Sequence, residues 1–287
     1  MKKTFFLLNL IAFCLLVGKG VYWMKKGFSF RRIAAPSQME LVLREDLADE
    51  ILTQPFKYLA RGRQCFAFES LDGNYVLKLP RTDIYQIPFW VRAFPSLFPK
   101  RSALWQRRKS QEDFVLNSMR IACESLSEET GTLALHFGQT PDRGQTIRLI
   151  DPLGFTYLLP AHKITFALQR KHPLLMKSFK EALRNGDRVA AKALLGSLID
   201  VVIARGKKEI WNKDGSFLRN YGYDGKKAIQ IDIGSFYRKP GAIASIRETM
   251  QRVRGWLGEV DPEMLAFLES EMERKIETAF SGNEKLQ

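Results

Sequence analysis

Asp232 stands between Ile231 and Ile233 and just before Gly234, at the end of an apolar strand pattern that opens at Ile229, twelve positions after Asn220. A carboxylate and a carboxamide so placed can share a magnesium ion, because hard divalent cations take oxygen ligands and ATP supplies the rest of the shell. The pattern therefore points to a nucleotide site, with ATP and Mg2+ as the expected cofactors. Upstream, Asn212-Lys213-Asp214-Gly215 offers a second carboxylate, Asp214, in a turn. Lys78 lies within Tyr75-Val76-Leu77-Lys78-Leu79, where strand alternation turns it away from Leu77 and Leu79, into a cleft or to solvent. Gly62 permits one close backbone approach to a phosphate, and serves equally as a turn before a hairpin. Other chemistries find less support. The three histidines lack metal-ligand spacing, and there is no Cys-x-x-Cys, Walker sequence or Gly-x-Ser-x-Gly elbow.

These residues need elements to position them. Phe66 to Glu69 and Tyr75 to Leu79 alternate as strands around Asp72-Gly73, which predicts a β-hairpin. Helical periodicity over residues 102–126 is closed by Gly131, and strands are expected over 132–137, 146–150 and 155–159. Beyond Ala161 the texture becomes helical: Pro173–Asn185, Asp187–Lys207 with Asp187 as cap, and a last helix begun by Asp261-Pro262. The fold class is therefore α+β, with the candidate residues Asp214, Asn220 and Asp232 in a short β island at 211–236.

The order of these parts resembles the protein kinase-like superfamily over roughly residues 55–257. Leu59-Ala60-Arg61-Gly62-Arg63-Gln64 stands where that family has its glycine-rich phosphate cover, with one glycine of three. Val76-Leu77-Lys78 is similar to Val-Ala-Ile-Lys, so the resemblance gives Lys78 the α/β-phosphates and a glutamate partner on the following helix. Glu112, Asp113 and Glu124 are available, and Glu112 leaves the longer stretch of helix before the next strand. Asp214 and Asn220 match the catalytic-loop aspartate and asparagine, although Asn212-Lys213-Asp214 replaces His-Arg-Asp and Asn220 falls one residue late. Asp232-Ile233-Gly234 stands in for Asp-Phe-Gly. The resemblance implies a bilobal fold with a β-rich N-lobe at 55–160 and a helical C-lobe at 161–280, MgATP between them, and a phosphotransferase with an unidentified acceptor. Only Ser235 to Gly241 follow Gly234 before the next helical pattern, too few for an ordinary activation segment, which favours an atypical kinase or a catalytically inactive pseudokinase used as a binding module. Arg219, Arg238 and Lys239 are candidates for a second phosphate or for plain solvated positions.

The formal charge of +14 over 287 residues suggests nucleic acid at first sight, but the first 32 residues hold seven Lys/Arg and no acid, which accounts for half of it. No specific nucleic-acid partner is expected. Met1-Lys2-Lys3 and the run from Phe5 to Val17 read either as part of a membrane anchor over residues 1–24 or as a signal peptide cleaved near Gly18-Lys19-Gly20. Lys25, Lys26, Arg31 and Arg32 on the richer flank place the body of an anchored protein in the cytoplasm; cleavage makes it exported. Residues 25–54 read as a linker and 281–287 as a tail. Three cysteines are too few for a disulfide framework.

Overall fold

The structure, a computed structural model, describes residues 2–33, 41–88, 91, 93–97 and 100–281; the expected tail lies, beyond Ser281, outside them. The chain is α+β, as its sequence predicts, and divides into two compact units, Met1–Lys109 with Ala134–Leu168 and Ser110–Leu133 with Gln169–Gln287.

The first unit is built on an eight-stranded sheet. Its strands are β1 (Leu41–Leu43), β2 (Phe56–Arg61), β3 (Cys65–Ser70), β4 (Tyr75–Pro80), β5 (Thr132–Phe137), β6 (Thr146–Ile150), β7 (Thr156–Pro160) and β8 (Phe166–Arg170), in the order β1-β5-β8-β4-β3-β2-β6-β7. The β3–β4 hairpin forms where alternation places it. Phe66 and Phe68 are fully buried on one face of β3, and Leu77 and Leu79 are fully buried on β4. Gly73 takes φ 76°, the left-handed conformation that a tight turn asks of glycine. The Asp72 carboxylate beside it accepts from Ser70 Oγ (2.6 Å) and Asn74 N (3.0 Å), and these bonds hold its pKa down to about 2.

Two helices belong to the N-terminal part of this unit, α1 (Lys2–Met24) and α2 (Glu45–Ile51). The membrane anchor is corrected here. Among the described residues no helix is long and apolar enough to cross a membrane, so a single-pass membrane protein is not what the structure supports. The apolar run, interrupted by Asn9, ends at Val17, before Gly18-Lys19-Gly20, well short of the roughly 20 residues a span needs. The basic flank that suggested an orientation is engaged with the sheet instead. Lys25 Nζ lies 3.0 Å from the buried Asp151 carboxylate and donates to Tyr157 Oη at 2.7 Å, and Arg32 pairs with Asp83 at 3.4 Å. Phe28 is buried against the rings of Phe66, Phe68 and Tyr157. The segment after α1 is thus an integral part of the first unit.

The second unit is mainly helical. It contains most of α3 (Arg101–Glu124), then α4 (Leu175–Arg184), α5 (Arg188–Lys207), α6 (Ala242–Val260) and α7 (Pro262–Phe280). Asp187 accepts from Ala190 N (2.9 Å) and Asp261 from Met264 N (3.1 Å), the N-caps expected for α5 and α7. Helix α5 is central: Leu195, Leu198, Ile199 and Val202 are buried against Ile246, Met250 and Leu257 of α6 and Met264, Leu268 and Met272 of α7. The four-residue spacing on α7 turns one stripe inward. Helix α4 starts two residues later than its periodicity suggests, because Pro173 O accepts from Tyr223 N and Leu174 bridges Gly222, which holds the chain extended there.

Burial raises the Asp151 pKa, but Lys25, the Phe155 and Leu153 N–H groups and Tyr157 outweigh it, and the carboxyl sits below its ordinary value; bonding to Tyr157 and Asp151 raises Lys25. A depressed Asp contributes stability above its unfolded pKa and a raised Lys below its own, so the pair is at full strength near neutrality and is lost towards both extremes. Lys25→Met, which strands a buried carboxylate, should destabilise the protein by about 3 kcal/mol at pH 7 in denaturant unfolding. An unchanged midpoint would show that the pair does not hold this segment.

Candidate functional site

The three candidate residues of the second unit lie on two segments that run antiparallel. Strand β9 (Ile210–Asn212) pairs with β12 (Phe236–Arg238), with Asn212 opposite Phe236, and β10 (Tyr221–Tyr223) pairs with β11 (Ala228–Gln230), with Tyr221 opposite Gln230. The pairing continues past both strands: Lys213 N donates to Ser235 O at 2.9 Å, and Ile231 N donates to Asn220 O at 2.8 Å. The expected strand 229–234 therefore stops at Gln230, since Asn220 opposite Ile231 ends a helical turn, Phe217–Asn220. Asp232 sits in the short connection held at both ends by these bonds, and its Oδ1 accepts from Gly234 N at 3.1 Å.

Asp214 is half-buried in a double turn. Its N–H donates to Asn212 Oδ1 (3.0 Å) and its own Oδ1 accepts from Ser216 N (2.9 Å), the local bonding that makes Asn and Asp turn formers. Gly215 lies against the Arg252 guanidinium, whose carbon would stand 2.3 Å from an added Cβ, so a larger residue there would displace the end of that side chain. Asn220 is 6% exposed, its side chain makes no hydrogen bond, and its Nδ2 is fully buried without a partner. Leaving a buried amide unbonded costs on the order of 1–3 kcal/mol, and a turn about its last torsion presents oxygen instead of nitrogen. So turned, the carboxamide, next in the backbone pairing to the Asp232 connection, would offer its oxygen to a hard cation. No group of three or more His, Cys, Asp or Glu side chains suited to a metal occurs among the described residues.

Two residues that carry this arrangement have no motif to announce them. Ser118, fully buried on α3, donates from Oγ to Ile233 O (2.7 Å) and accepts from Phe236 N (2.6 Å), so one hydroxyl fixes the chain on both sides of Gly234. Arg205 is 1% exposed; its Nη1 donates to Gln230 Oε1 (2.7 Å) and its Nη2 to Thr249 Oγ1 (2.6 Å), which ties β11 to α5 and α6. A cation amid Val201, Val202 and Ile203 was the one sequence signal for it.

The remaining candidates fall as follows. Glu112 and Asp113 are both half-buried on the second-unit part of α3, whereas Glu124 is exposed near its end beside Arg120. Lys78, half-buried on β4 opposite Ala67, and Gly62, whose N–H donates to Cys65 O in the β2–β3 turn, belong to the first unit. Of the basic residues near the island, Arg238 donates to Ser125 Oγ (2.6 Å) and Lys239 Nζ lies 4.3 Å from the centre of the Trp211 ring, while Arg219 is exposed.

No family model and no curated protein matches the sequence. Solved structures do match. The chain is similar to a crystal structure of WbdD (18% identity, TM-score 0.40, covering 77% of this chain and 46% of that one). It is also similar to a structure described as the bifunctional kinase-methyltransferase WbdD (18%, 0.35, covering 74% and 43%). A third match is WbdD co-crystallised with the kinase inhibitor LY294002 (15%, 0.40, covering 75% and 45%). The chain spans less than half the length of each.

Ser118→Ala would leave the Ile233 carbonyl and the Phe236 N–H buried and unbonded, and should destabilise the protein by roughly 2–4 kcal/mol. Thermal or denaturant unfolding measures this; a loss below about 0.5 kcal/mol would mean that the hydroxyl does not hold the Asp232 connection.

Proposed function

We propose that the chain is a kinase-like phosphotransferase that binds MgATP, and the observation that carries the proposal is the buried Asn220 side chain, whose Nδ2 has no partner, beside the Asp232 connection. In this reading Asp232 and Asn220 hold the metal, and the resemblance would assign nucleotide-binding roles to Lys78, Gly62 and Glu112. Magnesium supplies neutralisation of phosphate charge when bound. Asp214 accepts the proton of an acceptor hydroxyl and orients it, and the double turn around it fixes where that carboxylate points. The bonds of Ser118 keep the Asp232 segment from relaxing. Catalysis is then mostly positioning and charge complementarity.

A second reading, nucleotide binding without transfer, is favoured by the single glycine of the Gly62 turn and by the engagement of Asp214 Oδ1 with Ser216 N. It shares the metal and nucleotide assignments and differs only in the role of Asp214.

A ligand that binds only the folded state raises its stability, by about 2.7 kcal/mol at a hundredfold excess over Kd. The melting temperature of the intact chain should therefore rise with ATP and magnesium together, and Asp232→Asn or Asn220→Ala should abolish the magnesium-dependent part. No such shift at ATP well above millimolar would sink the proposal. Where the shift is present, Asp214→Asn should reduce ATP turnover by roughly 10²- to 10⁴-fold; a wild type that binds MgATP and never forms ADP selects the second reading.

A further inference from the structure

The second unit carries a groove that the nucleotide reading does not use. It runs between α4 and the C-terminal end of α6, with a volume near 640 Å3, and is lined by Lys177, Lys180, Leu183, Arg184, Trp256 and Val260. The floor is apolar: Trp256 and Leu183 are half-buried, and Val260 is 51% exposed. Trp256 is held in place from beneath by Phe179 and Phe217, whose ring centres lie 6.0 and 5.7 Å from its own. A fixed aromatic floor costs little to order on binding.

The rim has one sign of charge. Lys177, Lys180 and Arg184 stand at positions i, i+3 and i+7 of α4, which places them along one face of the helix. Like charges at such spacings disfavour a helix by a few tenths of a kcal/mol per pair. None of the three is paired with a carboxylate among the described residues; Lys180 Nζ instead lies 5.8 Å from the Trp256 ring centre. Glu181 and Glu259, neighbours in sequence, are exposed and do not line the groove. Three unpaired cations over a tryptophan-floored trough suit a ligand that is anionic at one end and hydrocarbon along its length. The volume falls in the range of small-molecule sites, about 300–1,000 Å3.

We propose that this groove binds a single-chain anionic amphiphile, a long-chain carboxylate, whose chain lies on Leu183, Trp256 and Val260 and whose carboxylate faces Lys177, Lys180 and Arg184. The site is separate from the Asp232 connection and stands or falls independently of nucleotide binding.

The test titrates the intact chain with dodecanoate, kept below its micelle concentration, and reads calorimetric heat and tryptophan fluorescence. Saturable binding of one dodecanoate per chain is expected. Lys177→Glu combined with Lys180→Glu should weaken it about tenfold, as two attractions are replaced by repulsions. Trp256→Ala should weaken it further and remove the fluorescence response. Both lysines are exposed, so the double variant should keep the wild-type melting temperature; Lys180→Gln, milder still, should weaken binding by about threefold. Absence of saturable binding, equal affinity in the charge variants, or equal affinity for dodecanol would each overturn the proposal. So would an acidic amphipathic peptide that binds where dodecanoate does not.

Discussion

One hydroxyl, that of Ser118, makes the two bonds on which the candidate site rests. It donates to Ile233 O and accepts from Phe236 N, so a residue of α3 sets the path of the chain across Gly234. Neither backbone group is bonded to a neighbouring strand: Ile233 lies beyond the end of β11, and the N–H of Phe236, the first residue of β12, donates to the Ser118 hydroxyl instead. Buried backbone groups must be satisfied from somewhere, and here a side chain from more than a hundred residues away does it. The Asp232 connection can therefore be short, irregular and ordered at once. The bonds of Lys213 to Ser235 and of Ile231 to Asn220 then fix the facing segment, which carries Asp214 and Asn220.

Arg205 performs a related task deeper in the second unit. Its guanidinium is surrounded by neutral oxygens, those of Tyr221, Gln230 and Thr249, and its Nε has no partner. A buried cation is costly to desolvate, and its planar fork suits it to joining several acceptors at once. The result joins α5, α6 and the β10–β11 hairpin at one point, directly behind the strand that leads into Asp232. Apolar packing along α5 gives this unit its stability, whereas Arg205 and Ser118 give it a defined path through the loops.

Much of this was legible in the sequence, and the division has physical causes. The Asp72-Gly73 hairpin and the Asp187 and Asp261 caps depend on residues a few positions apart, so local chemistry reveals them. The same holds for the turn at Asp214. Asn220 and Asp232 were visible as residue types at a suggestive spacing, but the unbonded state of the Asn220 carboxamide emerges only from the packing around it. Ser118 was invisible, since its partners lie 115 and 118 positions away and nothing local marks a serine for that use. The membrane-spanning reading of the N-terminus fails for a similar reason. Lys25 looks like a cytoplasmic flank until its partner, Asp151, is known, and Gly18-Lys19-Gly20 cuts the apolar run short.

In the proposed function the carboxamide of Asn220 and the carboxylate of Asp232 supply oxygen ligands to the magnesium of a bound nucleotide. A crystal structure of the intact chain grown with magnesium and a non-hydrolysable ATP analogue tests it most directly. The expected result is a metal in contact with oxygens of both side chains, with the Asn220 amide turned so that Oδ1 faces it. A nucleotide bound elsewhere, or a metal that leaves the Asn220 carboxamide as unbonded as it is now, would contradict it.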